Sequence, residues 1–342
     1  MDGKNLTKLD ILKRLSPGTG LREGLDDVLR GKHGALVVIG NSAVTNIFEG
    51  GFRVNCKFNS KRLAELAKMD GAIILSEDFK KILYANTLLG PDRSISTIET
   101  GTRHQAAERT AKQIGGLVIA VSERREKITV YYKNSKFSLQ SSAELLRRAT
   151  ETLQILEKQR EIFDELISNL NVLEVTSLVS IADVCSMLQR MEVIKKMSDI
   201  INEYIVALGR EGIIVRMRMK EIIKGITKEQ GAIIRDYGLK EQKVMQFFDH
   251  LNFEVLLDTE NIAKSLFGES LEMLITPAGI RLLGKTSLSD EEVQKLITSS
   301  GNLEGVFNLD DERIIEILGE RSESFKKEIN DLREQIMVGK KI

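Results

Sequence analysis

The sequence is poor in the residues that brace small secreted folds. Among 342 residues there are two cysteines, Cys56 and Cys185, far apart and without metal-ligand spacing. That excludes a disulfide framework and points to a reducing compartment, the cytosol. Three prolines (Pro17, Pro91, Pro277) and no tryptophan exclude a Pro-rich linker or a collagen-like design. No apolar run approaches the roughly 18 residues that span a bilayer, and the start, MDGKNLTKLDILKRL, lacks the apolar core of a signal peptide. No membrane partner is expected. Net charge is missing too, since 50 basic side chains balance 50 acidic ones. What remains, 42% hydrophobic and 29% charged, fits a globular chain and excludes wholesale disorder. At about 150 residues per domain, the length predicts two to three domains.

The zero total hides an asymmetry. Residues 1–149 carry net +9, residues 150–284 net −5 and residues 285–342 net −4. A basic domain concentrates polyanions such as nucleotides, DNA or acidic partners. Opposite charges also help the parts of one assembly dock, so charge alone does not choose between these readings.

The first 140 residues alternate strand and helix signals. Continuous apolar runs at 35–39, 71–75 and 117–121, with a β-rich partner at 128–132, predict a buried sheet. Ser60 reads as the N-cap of a helix through Lys68. The expected class is an α/β domain with a mixed sheet flanked by helices. Near Ser141 the character changes. Ser141-x-x-Glu144 is a capping box, and apolar residues at 146, 149, 153, 156, 163, 167 and 170 predict a helix of about 30 residues. Helical patterns follow at about 180–208 and 220–248, so the middle third reads all-α. After Pro277, Ser289-x-x-Glu292 opens a small all-α region with short helices near 290–299, 311–318 and 323–337, broken at Gly301 and Gly319. Its size predicts that it leans on the rest or forms a compact binding module. The expected boundaries are 1–142, 143–284 and 285–342.

Three motifs bear on chemistry. Gly279-Ile-Arg-Leu-Leu-Gly284-Lys285-Thr286 fits the phosphate-loop expression G-x-x-x-x-G-K-[ST]. No strand precedes it, Thr276-Pro277-Ala278 does, and the next cap comes three residues late. The required context is absent, and a working phosphate loop is not expected. In the basic domain, Thr102 and Gln105 stand at capping-box spacing, with Thr102 as N-cap. Free N–H groups of that helix then face the same place as Arg103, a rigid donor fork, and His104, a donor or proton-transfer group. A well-capped helix with a solvated basic turn fits the residue types equally. Asp70-Gly71-Ala72 puts an acid at the mouth of a strand, able to hold a metal or accept a hydroxyl proton. It is equally an ordinary turn acid.

Together, Asp70-Gly71-Ala72 and Gly101-Thr102-Arg103-His104 resemble the diadenylate cyclase family. Pro17-Gly18-Thr19, Glu65 through Ser76, Lys81-Ile82-Leu83-Tyr84-Ala85-Asn86 and Ser122-Glu123-Arg124-Arg125 extend the resemblance. It implies an enzyme that condenses two ATP molecules into cyclic di-AMP with release of two pyrophosphates, at a face-to-face dimer interface. It implies a divalent cofactor, Mg²⁺ or Mn²⁺, and assembly as a homo-octamer. By position, Asp70 would bind the metal or activate the 3′-hydroxyl, with Arg103 and His104 as the charged catalytic members. Gly71, Leu89, Thr102, Arg103, His104, Gln105, Ala106 and Ser122 would bind ATP. The C-terminal region would be helix-hairpin-helix-like, with DNA as a partner and regulation by branched or damaged DNA.

Two departures stand out. The third position of the family's Arg-His-Arg motif is Gln105 here. The C-terminal turn, Ile317-Leu318-Gly319, lacks the first glycine of a DNA-binding hairpin, in a region of net −4 whose basic pairs are Lys326-Lys327 and Lys340-Lys341. That weakens the expectation of DNA binding. The alternative function is a non-catalytic DNA- or nucleotide-sensing module that keeps the cyclase fold.

Overall fold

The computed structural model describes residues 6–40 and 43–340; Lys341 lies outside them. The chain forms two compact units. The first holds the residues up to Thr150 with Asn202–Val215, the second Glu151–Ile201 with Arg216 onward.

The first unit is built on an eight-stranded mixed sheet: β1 (Ala35–Ile39), β2 (Phe48–Glu49), β3 (Phe52–Lys57), β4 (Ala72–Leu75), β5 (Lys81–Leu89), β6 (Leu117–Ser122), β7 (Lys127–Tyr132) and β8 (Ser135–Leu139). The order is β2-β5-β4-β1-β6-β7-β8, with β3 also on β5. β1 and β4 run parallel, and every other pairing is antiparallel. The helices α1 (Lys8–Arg14), α2 (Gly20–Arg30), α3 (Ser60–Leu66) and α4 (Thr102–Ile114) precede the sheet or connect its strands.

Burial on both faces explains the continuous apolar runs. Ala35, Val37, Ile39, Ile73, Leu75, Ile119 and Val121 meet Ile11, Leu25 and Leu63 of α1–α3. The alternate residues Leu36, Val38, Ala72, Ile74, Val118 and Ala120 meet Ala107, Ala111 and Ile114 of α4. Each fully buried aliphatic side chain of this kind contributes about 1.5–3 kcal/mol. The small Ala107 and Ala111 let α4 lie close to the sheet.

Some boundaries differ from the sequence reading. Asn59, not Ser60, caps α3, its side chain accepting the N–H of Lys61 at 2.9 Å, and the helix stops at Leu66. β4 begins at Ala72, because Gly71 takes a left-handed φ of +87°.

Two long helices follow, α5 (Ser142–Val175) and α6 (Ile181–Leu208). The Ser141 hydroxyl accepts the N–H of Glu144 at 3.2 Å, and the Glu144 carboxylate pairs with Arg147 and Arg148. The expected helix over 220–248 is three: α7 (Ile213–Ile222), α8 (Ile226–Asp236) and α9 (Glu241–Asp249). Left-handed Gly225 and Gly238 interrupt it. Short helices occupy 290–300, 303–307, 311–318 and 322–337, and Ser289 and Glu292 form a reciprocal capping box. Their core, including Leu296, Leu303, Ile314, Phe325 and Ile336, is completed by Leu282 and Leu283 and packed against Val172 and Val175. The small C-terminal region leans on α5.

The phosphate-loop look-alike binds an anion supplied by the chain itself. The Asp236 carboxylate accepts the N–H groups of Gly279, Ile280 and Arg281 at 2.9, 2.5 and 3.0 Å. The helix that follows has only four residues, and Lys285 sits 3.8 Å from Glu229.

Candidate active site

The sequence-predicted residues converge at one end of the sheet. Leu36 pairs with Ala72, so Asp70 and Gly71 lead into β4 at the same end where Gly34 leads into β1. Ala35 pairs with Val121, which brings Ser122 beside Gly34 on the other flank. Leu89 ends β5 at the same edge, half-buried and paired with Phe48. Asp70 is exposed at this mouth.

Gly71 fixes Asp70 there. A Cβ on Gly71 would lie 2.8 Å from the carbonyl oxygen of Thr87 and 2.9 Å from the carbonyl carbon of Asn86. The buried Thr87 hydroxyl donates to the Ala72 carbonyl at 2.9 Å and ties the crossing together. Only glycine fits this backbone approach at a positive φ.

α4 presents its N-terminus to the same end. The expected capping box does not form. Gly101, in extended conformation, is the N-cap, Thr102 is the first helical residue, and no side chain caps the helix. Gln105 turns away, its Nε2 donating to the Glu99 carbonyl at 2.8 Å, while its own N–H bonds the Gly101 carbonyl at 2.8 Å. The first-turn N–H groups therefore keep their positive end open, which favours an anion more than a capped helix would. Gln105 is a brace for the 99–101 loop, and a charge is not needed for that work. Ala106 lies on the side packed toward the sheet.

Arg103 is exposed, yet its guanidinium rests on the Gly34 backbone. A Cβ at Gly34 would fall 2.0 Å from an Arg103 Nη atom. Gly34 thus makes room for the donor fork, a role that residue type alone did not reveal. The Ser122 hydroxyl accepts the N–H of Arg125 at 3.3 Å, which turns the basic β6–β7 turn back over the strand end.

His104 anchors a polar chain that the sequence reading missed. Its Nδ1 lies 2.7 Å from the Tyr131 hydroxyl, which donates to Glu99 Oε1 at 2.8 Å, and Glu99 is ion-paired with Lys136. Burial alone would raise the Glu99 pKa, but the hydrogen bonds from Lys136 and Tyr131 prevail and hold it below the usual carboxylate range. Burial, then the cations Arg125, Lys136 and Arg103, push the His104 pKa down, although Glu99 pulls the other way. Glu99 and Tyr131 lie 32 residues apart, and no short motif links them.

Asp70 brings one exposed oxygen ligand, and among the described residues no group of three or more His, Cys, Asp or Glu could hold a metal. Such a set does not make a closed cage. It fits a hard divalent cation that keeps waters and shares phosphate oxygens with a nucleotide. Among the described residues, no helix is long and apolar enough to cross a membrane.

Comparison with known proteins shows the family. Residues 22–136 match the family described as DisA bacterial checkpoint controller nucleotide-binding. Residues 139–272 match the DisA bacterial checkpoint controller linker region. The DNA integrity scanning protein DisA of Clostridium botulinum (strain Eklund 17B / Type B) is 42% identical, with 99% of each chain covered. That of Clostridioides difficile (strain 630) is 41% identical over 93% of this chain and 92% of its own. At this identity over nearly the whole length, the chain belongs to the DNA integrity scanning protein DisA family.

Proposed function

We propose that this diadenylate cyclase joins two ATP molecules into cyclic di-AMP at the sheet end where Asp70 and the first turn of α4 meet. Each 3′-oxygen attacks the α-phosphorus of the other nucleotide. Two phosphodiester bonds form, two pyrophosphates leave, and the two hydroxyl protons go to bases at the site. In-line positioning and charge neutralisation carry most of such a phosphoryl transfer.

The residues divide the work as follows. Thr102 through Ala106 cradle the triphosphate, with the open N–H groups of Thr102, Arg103 and His104 facing it and Arg103 and His104 as the charged contacts. Ser122 adds a hydroxyl, and Gly71 and Leu89 line the nucleotide. Asp70 accepts the 3′-hydroxyl proton or ligates the divalent cation. That cation, Mg²⁺ or Mn²⁺, supplies charge neutralisation on the phosphates when bound. Two such units must face each other, because one chain holds one nucleotide. The helical region over 143–284 builds the homo-octamer in a cytoplasmic setting. The region 285–342 contacts DNA weakly, since its net charge of −4 opposes phosphate binding.

The observation that carries this reading is the Arg103 guanidinium lying on Gly34, which leads into β1 at the end where Asp70 leads into β4. The test is incubation of the purified chain with ATP and either cation, at concentrations that allow self-association. Cyclic di-AMP with two pyrophosphates per product is expected. No product with either metal would overturn the proposal.

A further inference from the structure

The polar chain beside α4 fixes where the His104 proton sits. Tyr131 has one hydroxyl proton, and it goes to Glu99 Oε1 at 2.8 Å. Glu99, paired with Lys136, stays ionised and can only accept. The same Tyr131 oxygen lies 2.7 Å from His104 Nδ1, so there it must accept. Nδ1 therefore carries the proton. A neutral imidazole has one N–H, which leaves a lone pair on Nε2. Nε2 is buried and has no hydrogen-bond partner. Leaving a buried polar atom unpaired is costly and marks a place where structure alone does not account for the residue.

We infer that Tyr131 is a positioning residue that holds neutral His104 in its Nδ1–H form, so that nucleotide binding draws a proton onto Nε2. The inference rests on the reading of the α4 first turn as the phosphate cradle. A phosphate oxygen only accepts, and against a bare lone pair it is repelled. It is bound when the ring becomes an imidazolium that donates from Nε2 while Nδ1 still donates to Tyr131. As the side chains stand, Nε2 is closed to water, so the first-turn side chains must part for the phosphate to reach it.

The charges facing the ring set the direction of the coupling. Glu99, from the loop before α4, favours the charged form. Arg125 from the β6–β7 turn, Lys136 from β8 and Arg103 from α4 itself oppose it, and so does burial, the largest influence. Tyr131 on β7 is neutral, its hydroxyl held protonated by burial and by Glu99. Without nucleotide the ring is neutral near pH 7.5. The charge of a triphosphate reverses the balance and binds the proton.

The test is calorimetric titration of the full chain with the α,β-methylene analogue of ATP and Mg²⁺, at pH 7.5, in buffers of different ionisation enthalpy. The analogue's own proton exchange is common to all variants and cancels. Wild type should take up close to about one proton per nucleotide more than His104→Ala. In Tyr131→Phe the ring is free to carry its proton on Nε2 and donate without uptake. That excess should then fall to less than about half of the wild-type value. A Tyr131→Phe protein with weaker binding but the wild-type proton number would overturn the inference, since a merely structural role predicts that result. So would equal proton numbers in wild type and His104→Ala. If wild type itself fails to bind the analogue, the phosphate-cradle reading falls, and the inference with it.

A second measurement needs no variant. The chain has three histidines, His33, His104 and His250, so ¹⁵N spectra of histidine-labelled protein are assignable. His104 should show the Nδ1–H form above its pKa. A ring protonated on Nε2 would overturn the inference.

Discussion

Gly71 and Thr87 pass so close that a Cβ on the glycine would fall 2.8 Å from the threonine carbonyl oxygen. The crossing sets the direction in which the chain enters β4, and with it the place of the Asp70 carboxylate at the mouth of the sheet.

Gly71→Ala should therefore do two things. Strain at φ +87° and the contact with Thr87 should cost about 1–3 kcal/mol, read as a lower urea midpoint. Displacement of Asp70 should lower cyclic di-AMP formation by about tenfold or more, because small shifts at a reacting centre are expensive. Wild-type turnover in the variant would show that the crossing does not position the carboxylate.

Arg103 should be irreplaceable by lysine. Its guanidinium rests against Gly34 and presents several donors in one plane, whereas an ammonium is a point charge. Arg103→Ala should weaken ATP binding by about 1.5–3 kcal/mol, the range for hydrogen bonds to charged groups, and Arg103→Lys should recover only part of it. The readout is KM for ATP from pyrophosphate release. Full recovery by lysine would reduce the role of Arg103 to net charge.

Lys285→Ala separates the cyclase site from the phosphate-loop look-alike. The N–H groups of Gly279, Ile280 and Arg281 already serve Asp236. The substitution should leave pyrophosphate release within about twofold, a shift of less than ~0.5 kcal/mol. A loss of turnover, or release of ADP and phosphate by wild type, would favour a second nucleotide site.

The Asp236 cap should give the second unit a pH dependence. Burial, with Glu174 nearby, raises the Asp236 pKa from 3.8 to about 6 despite its three N–H partners. The folded chain then binds this proton more tightly than the unfolded chain does. The contribution of Asp236 to stability is fully present below about pH 4 and is lost as pH rises through about 6, by an amount on the order of 3 kcal/mol. Urea unfolding of wild type against Asp236→Asn at pH 4.5 and pH 7 should show the stability difference moving against wild type at the higher pH. A difference independent of pH would contradict the assignment.

Much of this architecture is legible in the residues themselves. The runs at 35–39 and 117–121 mark their strands directly, because a sheet buried on both faces needs apolar residues at every position. Asp70-Gly71 and Arg103-His104 are marked by their joint resemblance to a known family, since by residue type alone an ordinary turn acid and a capped helix fit them equally. The rest depends on contacts that no local pattern encodes. Thr102 and Gln105 have capping-box spacing, yet Gly101 takes the cap because Gln105 is engaged by the Glu99 carbonyl. The helix over 220–248 has a good apolar period, and Gly225 and Gly238 override it. Gly34, Glu99 and Tyr131 acquire roles only when the sheet brings distant segments together.

The central claim is that Asp70 serves the chemistry of this site and not its architecture, as its exposed position suggests. The most direct measurement is cyclic di-AMP formation by Asp70→Asn, with the urea midpoint recorded on the same preparation. Product should vanish while the midpoint stays within about 0.5 kcal/mol of wild type, as for an exposed substitution. Near-normal turnover in a folded Asp70→Asn protein would contradict the account.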